Sequence, residues 1–367
     1  MMQSPEGEVV VVTGGSGFLG QHIVKQILEQ GEFLVREVRT FDLKPFHWCP
    51  ELQVVKPGAT LSHVQGDLLA LDEIRKVCRD ATVVIHTAGY IDVSPIPDTE
   101  LLRASNIQGS ENVLQACIDN NIEYLIYTST VDVVIGQEPI ESGTETTLGI
   151  PQHHHFGLYA TTKYEAEKLV LKANNLILQN GKRLQTCALR PTPVYGEADS
   201  YNSGVLQQCS KYGTMVQMGN KVSRYQCTYA GNVAWAHILA IKELMKPSTE
   251  ELVSGQAFFV TDDTPIGKIS DFFTPFVIGV GAKMSTFTVP YWFLYILATL
   301  VEIVAWLLQP FLRLKLFVTT TTVSYVHGVY YFSYEGAHRC LGYEPLYTYD
   351  EAVERSLAFY RRECGIL

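Results

Sequence analysis

The chain has 367 residues, 47% of them hydrophobic and 18% charged, enough apolar content to bury a large core and to exclude wholesale disorder. Lys and Arg number 28 against 38 Asp and Glu, a net charge of −10, which excludes phosphate-backbone binding to nucleic acid as the main activity because that needs clustered cations. The eight cysteines are scattered with no CxxC pair, so the chain carries neither a disulfide framework nor a zinc spacing and reads as reduced thiols facing a cytosol-like compartment.

Residues 1–8 are polar and acidic and run straight into Val9-Val10-Val11-Val12, too short an apolar stretch for a secretory signal. Apolar runs at 9–13, 37–41, 61–65, 83–86, 124–128 and 186–189 predict strands. Helical patterns at 18–30, 71–78, 101–120 and 159–174 alternate with them. Near-continuous apolar strands separated by helices predict an α/β chain with a Rossmann-type doubly wound parallel sheet. We expect that unit to cover residues 8–200, with 226–262 returning to it, and a smaller C-terminal substrate lobe from 201–225 and 263–367. Ligands of such a sheet bind at the carboxyl ends of its strands.

The first strand ends in a glycine triplet, Gly14, Gly17 and Gly20, one residue longer in its first gap than GxGxxG. Glycines allow a tight turn and close backbone approach to a pyrophosphate, and the N–H groups of Phe18, Leu19 and Gly20 open a helix whose positive end suits phosphate. Asp42 ends the second strand 22 residues beyond Gly20, where a carboxylate accepts from a ribose 2′-OH. A 2′-phosphate would meet like charge there, which favours NAD over NADP, although Arg39 and Lys44 stand nearby. Asp67 ends the third strand within reach of the adenine amine. Ala88 and Gly89, after the fourth strand, are small enough for a ribose to approach.

Tyr159 and Lys163 stand four apart, on one helical face, after the fifth strand. An isolated Tyr has a pKa near ~10, and a neighbouring cation favours its phenolate, so this Tyr can act as a base. Thr128, Ser129 and Thr130 close the fifth strand, and we select Thr130 as the hydroxyl that positions an alcohol or carbonyl. Three consecutive histidines, His153 to His155, cannot all converge on one ion without a sharp fold, and no metal site is expected.

Between Pro290 and Pro310 lie 19 residues with one charge, Glu302. As a helix they measure about 28 Å, near the roughly 30 Å hydrocarbon core of a bilayer. Tyr291, Trp292 and Trp306 lie near the ends, where interfacial aromatics belong, and Arg313 and Lys315 follow. The segment 287–312 is therefore expected to associate with a lipid membrane. Glu302 in mid-span is costly in lipid, which leaves a spanning helix and a monotopic one both open.

The residues Gly14-x-x-Gly17-x-x-Gly20, Asp42, Gly66-Asp67, His86-Thr87-Ala88-Gly89, Tyr159-x-x-x-Lys163 and Arg190-Pro191-Thr192-Pro193-Val194-Tyr195-Gly196 resemble the extended short-chain dehydrogenase/reductase family. Tyr127-Thr128-Ser129-Thr130-Val131-Asp132-Val133, Gly231-Asn232-Val233-Ala234-Trp235, Thr261-Asp262-Asp263-Thr264-Pro265 and Leu341-Gly342-Tyr343-Glu344-Pro345-Leu346, with the apolar segment, narrow the likeness to the 3β-hydroxysteroid dehydrogenase/Δ5-Δ4 isomerases over nearly the whole chain. That resemblance implies NAD-dependent oxidation of a steroid or sterol 3β-hydroxyl. It implies Tyr159 as base, Lys163 as its pKa-lowering and ribose-holding partner, Thr130 in place of the usual Ser, and further cofactor contacts at Pro191 and Val194. Asp132, with Asp263 as second carboxylate, would serve the isomerase step. Phe259 stands where steroidogenic members carry a Tyr. The resemblance also implies attachment to the endoplasmic reticulum membrane with the catalytic domain facing the cytosol, a mitochondrial membrane being the alternative, and pairing into a homodimer. A decarboxylating sterol-4-carboxylate 3-dehydrogenase uses the same Tyr and Lys. A nucleotide-sugar epimerase shares the fold but has no need of the apolar segment. A non-catalytic dinucleotide-sensing membrane scaffold would have no reason to keep Tyr159 and Lys163 in register.

Overall fold

Four consecutive valines are stable only where both faces of a strand are covered, and Glu8–Thr13 forms the central strand β1 of a seven-stranded sheet. The computed structural model describes residues 7–30, 34–309, 316 and 318–366. The other strands are β2 (Val35–Asp42), β3 (Thr60–Gln65), β4 (Val83–His86), β5 (Tyr124–Thr128), β6 (Gln185–Pro191) and β7 (Gln256–Val260). They lie in the order β7-β6-β5-β4-β1-β2-β3, all parallel. The chain reverses its direction of travel between β1 and β4, which opens the crevice where such sheets bind ligands. All six predicted strands are present. β7 had no strand prediction of its own; it lies within the 226–262 stretch.

The helices are α1 (Phe18–Gln30), α2 (Leu71–Val77), α3 (Gly109–Asp119), α4 (Gly157–Lys172), α5 (Ser200–Tyr212), α6 (Ala230–Leu244), α7 (Ile269–Gly279), α8 (Tyr291–Leu308), α9 (Thr320–His327) and α10 (Tyr349–Glu363). The predicted helix 101–120 runs from a short helical turn at Thr99–Leu102 through a π turn at Arg103–Gln108 into α3. Side chains alternate across each strand, so Val10 and Val12 meet α1 and α6 on one face while Val9 and Val11 meet α2, α3 and α4 on the other. All eight thiols are unpaired, six buried and two half-buried.

A separate hydrophobic cluster packs α5, α7 and α10 around Tyr195, Phe272, Phe276 and Tyr360. The short strand Tyr330–Phe332 pairs in parallel with Ile140–Gly143 and brings α9 over the carboxyl ends of the sheet. α8 lies against α9. Leu294 and Ala298 pack with Val323, and Ala305 is also buried. Glu302 also points inward, accepting from the Thr320 amide at 2.6 Å and the Thr320 hydroxyl at 3.0 Å at the first turn of α9. The remaining apolar side chains of α8 are exposed, Trp292 and Trp306 each at 63%. Arg313 and Lys315 lie outside the described residues.

Candidate active site

The turn after β1 can be built only from glycine. Gly14 has φ +72°, and a Cβ on it would lie 2.8 Å from the Ala88 backbone; a Cβ on Gly20 would lie 2.0 Å from the Gly14 carbonyl oxygen. The turn therefore rests on the loop after β4, and α1 begins where the loop N–H groups are open. As in any helix, the first amides of α1 have no intrahelical partner, and Gly17 before them is exposed while Phe18 and Leu19 are half-buried. Asp42 faces this turn, its carboxylate accepting from Ser16 N at 3.1 Å and Lys44 N at 3.0 Å. The Arg39 guanidinium is committed to Glu37 at 2.9 Å and to the Val77 carbonyl at 3.0 Å, so it is not offered to a 2′-phosphate. Asp67 accepts from Leu69 N at 2.9 Å and so shapes its own turn. This glycine cradle, with open amides and one acidic residue at the second strand, fits a dinucleotide without a 2′-phosphate.

Ala88 and Gly89 lie between this cradle and α4. A Cβ on Gly89 would come within 3.2 Å of Asn106 Oδ1 and 3.8 Å of Lys163 Nζ. Asn106 holds the loop by accepting from Tyr90 N at 2.7 Å and donating to Thr162 Oγ1 at 3.0 Å. His86 beneath is neutral, its pKa lowered to about 3 by burial and then by Lys163. Since the Ser110 hydroxyl donates to the Asn106 carbonyl, His86 Nε2 donates to Ser110 at 2.9 Å and Nδ1 accepts from Thr13 at 2.7 Å.

Lys163 is buried, donates to the Thr128 carbonyl at 2.7 Å and lies 4.3 Å above the Tyr127 ring. Burial lowers its pKa to about 7, against the pull of Glu167. Glu167 is itself bound to Arg190. Tyr159 is 7% exposed, and burial, followed by the charge of Asp132, holds its phenol well above the ordinary range. Of the three hydroxyls closing β5, Thr128 bonds to His237 Nε2 at 2.8 Å on the far side, and Ser129 Oγ is buried without a partner. Thr130 donates to Asp132 Oδ2 at 2.9 Å. Burial raises the Asp132 carboxyl to about 6, the Thr130 bond acting the other way. Tyr159, Thr130 and Asp132 thus come together, and Lys163 lies one helical turn along α4 from Tyr159. Pro191, buried, ends β6, and Val194, half-buried, lies three residues beyond in the short strand Val194–Tyr195.

Asp263 is exposed and interacts with Tyr334 instead. Phe259 is buried against Phe332, with ring centroids 4.9 Å apart. His155 bonds to the Thr321 carbonyl at 3.0 Å, while His153 is exposed. Tyr325 and Tyr330 had no place among the predicted site residues. Tyr325 faces Asp132, stacks on Tyr330 at 5.2 Å and meets Phe156 edge-on at 4.9 Å. No local spacing could link α9 to residue 132; the β-pairing of 330–332 does so. This aromatic wall closes the site. Two surface pockets of about 340 and about 640 Å³ are lined by other residues and do not reach Tyr159.

A model of the 3-beta hydroxysteroid dehydrogenase/isomerase family matches residues 11–290. The chain belongs to this family. Its curated relatives include the mouse 3 beta-hydroxysteroid dehydrogenase type 7, 36% identical over 95% of this chain and 94% of that protein. The human protein of the same name is 34% identical over 97% of this chain and 96% of its own length. As a member of this dehydrogenase family the chain is an enzyme, an oxidoreductase. Among solved structures, the dTDP-glucose 4,6-dehydratase DesIV from Streptomyces venezuelae, crystallised with NAD, superposes with a TM-score of 0.71 at 17% identity, covering 97% of this chain and 98% of that one. The Thermus thermophilus UDP-glucose 4-epimerase complex with NAD gives 0.65 at 20% identity, covering 96% and 99%. These likenesses establish the fold.

Proposed function

We propose that this member of the family oxidises the 3β-hydroxyl of a steroid or sterol to the 3-ketone with NAD, at a membrane. The observation that carries the proposal is that Tyr159 and Thr130 both interact with Asp132, while Lys163, one turn along α4 from Tyr159, donates to the Thr128 carbonyl at the carboxyl end of β5. NAD, when bound, supplies a hydride acceptor and a positive ring. Thr130 holds the substrate oxygen. Tyr159 takes its proton once a neighbouring cation offsets the burial and the Asp132 charge that now suppress its ionisation. Lys163 is the cation for that role; burial lowers its pKa to about 7, and the Glu167 carboxylate acts the other way to keep its charge. The Asp42 carboxylate and the committed Arg39 support NAD over NADP.

For Δ5-to-Δ4 isomerisation as a second step, Asp132 and Tyr325 form the acid–base pair we favour, since Asp263 interacts with Tyr334 and Phe259 has no proton to give. A sterol is apolar apart from one hydroxyl, so its affinity comes from burial at about 25 cal/mol/Å². The wall of Phe156, Tyr325 and Tyr330 supplies such a surface and has to open for entry. α8 supports membrane attachment. Its exposed apolar side chains, from Tyr295 through Leu308, sweep about 240° of the helix circumference at 100° per residue. A flat protein surface covers one side of a helix, whereas lipid covers an arc of that width. The inward Glu302 and the buried Leu294, Ala298 and Ala305 favour a helix lying along one leaflet over one crossing the bilayer. The membrane we infer is that of the endoplasmic reticulum, with a mitochondrial membrane as the alternative.

The test is turnover. Purified protein with NAD and a 3β-hydroxysteroid is expected to form NADH, and Tyr159→Phe to lower the rate by about 10²–10⁴. Product mass separates loss of two hydrogens from loss of carbon dioxide, which would mark a 4-carboxylate substrate. Absence of turnover across a broad sterol panel would remove the reading.

A further inference from the structure

Thr130 has one proton to give and two lone pairs to offer, and the structure accounts for most of them. One lone pair accepts the Asp132 amide at 3.2 Å, where Thr130 caps the short helix Val131–Val133. The proton goes to Asp132 Oδ2 at 2.9 Å. One lone pair remains for the substrate. In this arrangement Thr130 can accept a hydrogen bond from an alcohol but has no proton for a ketone.

Protonating Asp132 inverts the arrangement. The carboxylic acid then donates to Thr130 and fills the second lone pair. The first stays with the Asp132 amide. The Thr130 proton is released, and the hydroxyl can only donate, as a ketone oxygen requires. We propose that Asp132 is a positioning residue that sets the direction of the Thr130 hydroxyl, so that its ionised form selects the alcohol and its protonated form selects the ketone. This rests on the proposed reaction. It adds that the alcohol keeps its proton on Thr130 until Tyr159 is a phenolate, the stronger acceptor.

The surroundings of Asp132 suit a two-state group. The titratable side chains facing it are phenols, Tyr159 from α4 and Tyr325 from α9, both suppressed in their ionisation by burial. Behind Tyr325 stands His155, its ring 5.8 Å from the Tyr325 ring and its protonation disfavoured by burial. Burial lifts Asp132 to about 6, so both of its forms are reachable near neutrality.

The test is equilibrium binding to the full-length protein in the non-reacting pairs: a 3β-hydroxysteroid with NADH and the matching 3-ketosteroid with NAD, from about pH 5 to about pH 8. One linked proton gives up to about tenfold per pH unit. Ketone affinity is expected to fall with that slope as Asp132 ionises, and alcohol affinity to fall with the same slope as it is protonated. Asp132→Asn cannot titrate and is expected to flatten both profiles. Thr130→Val is expected to flatten them although Asp132 is still present, whereas Thr130→Ser is expected to keep them. NAD affinity of each variant reports an intact fold. Slopes that are absent in the wild type, or that survive in Asp132→Asn or Thr130→Val, would overturn the switch. Cyclohexanol and cyclohexanone, run in parallel, need no steroid site. Opposed slopes with this pair but no steroid binding would keep the switch and remove the steroid reading; steroid binding without slopes would do the reverse.

Discussion

Glu302 decides how α8 is held, and its removal has an expected sign that differs between the two ways of meeting a membrane. In the structure its carboxylate accepts from the Thr320 amide at 2.6 Å and from the Thr320 hydroxyl at 3.0 and 3.1 Å. Hydrogen bonds to a charged group contribute about 1.5–3 kcal/mol, and an anion at a helix N-terminus adds about 0.5 kcal/mol. Glu302→Ala is therefore expected to cost about 2.5 kcal/mol. With an unfolding entropy of about 2.1 cal/mol/K per residue, a chain of this length loses about 3 °C in Tm. Glu302→Gln keeps an acceptor for the Thr320 amide and is expected to lose about half as much. A helix crossing the bilayer with Glu302 in lipid predicts the opposite, because removing that charge would gain about 2.5–3.5 kcal/mol. The assay is thermal unfolding in detergent micelles together with flotation on phospholipid vesicles. A Tm that rises in Glu302→Ala or Glu302→Leu, with tighter vesicle binding, would refute the docked helix.

Other outcomes follow from the same geometry. Gly20→Ala forces a Cβ to within 2.0 Å of a backbone oxygen and is expected to cost about 1–3 kcal/mol of stability and to weaken NAD binding, read by thermal unfolding and fluorescence titration; an unchanged NAD affinity would contradict the cradle. Asp42→Ala removes the like charge from the ribose position and is expected to improve NADP relative to NAD by about tenfold in kcat/KM, while an unaltered ratio would mean that Asp42 does not face the ribose. Asp132 holds a proton more tightly folded, near 6, than at its ordinary value of 3.8, so wild-type stability falls as pH rises through that window. Asp132→Asn is expected to gain on the wild type in chemical denaturation between about pH 4 and about pH 7, and a stability difference independent of pH would contradict the burial of that carboxylate.

Much of the nucleotide half was legible because its signals are local. Val9 to Val12, the glycine triplet and the first turn of α1 are consecutive, so one short stretch specifies strand, turn and helix start together. Tyr159 and Lys163 are one helical turn apart, and their shared face follows from helix geometry alone. β7 escaped notice because Gln256–Val260 is a brief apolar run without alternation, which periodicity cannot distinguish from other buried segments. The π turn at Arg103–Gln108 likewise leaves no mark in the spacing, since it is held by Asn106 reaching Tyr90 and Thr162.

The sequence by itself determined the parallel sheet, the cradle at its edge, the Tyr–Lys pair and an apolar helix of membrane length, because each depends on residues within a turn or a strand of one another. Only the tertiary structure decided that Thr130 gives its proton to Asp132, that Tyr325 faces Asp132 from α9, and that Glu302 turns inward to Thr320. Those contacts join residues whose proximity comes from chain segments folding back across the sheet, and the free energy that holds them, burial and shared hydrogen bonds, exists only once the segments have met.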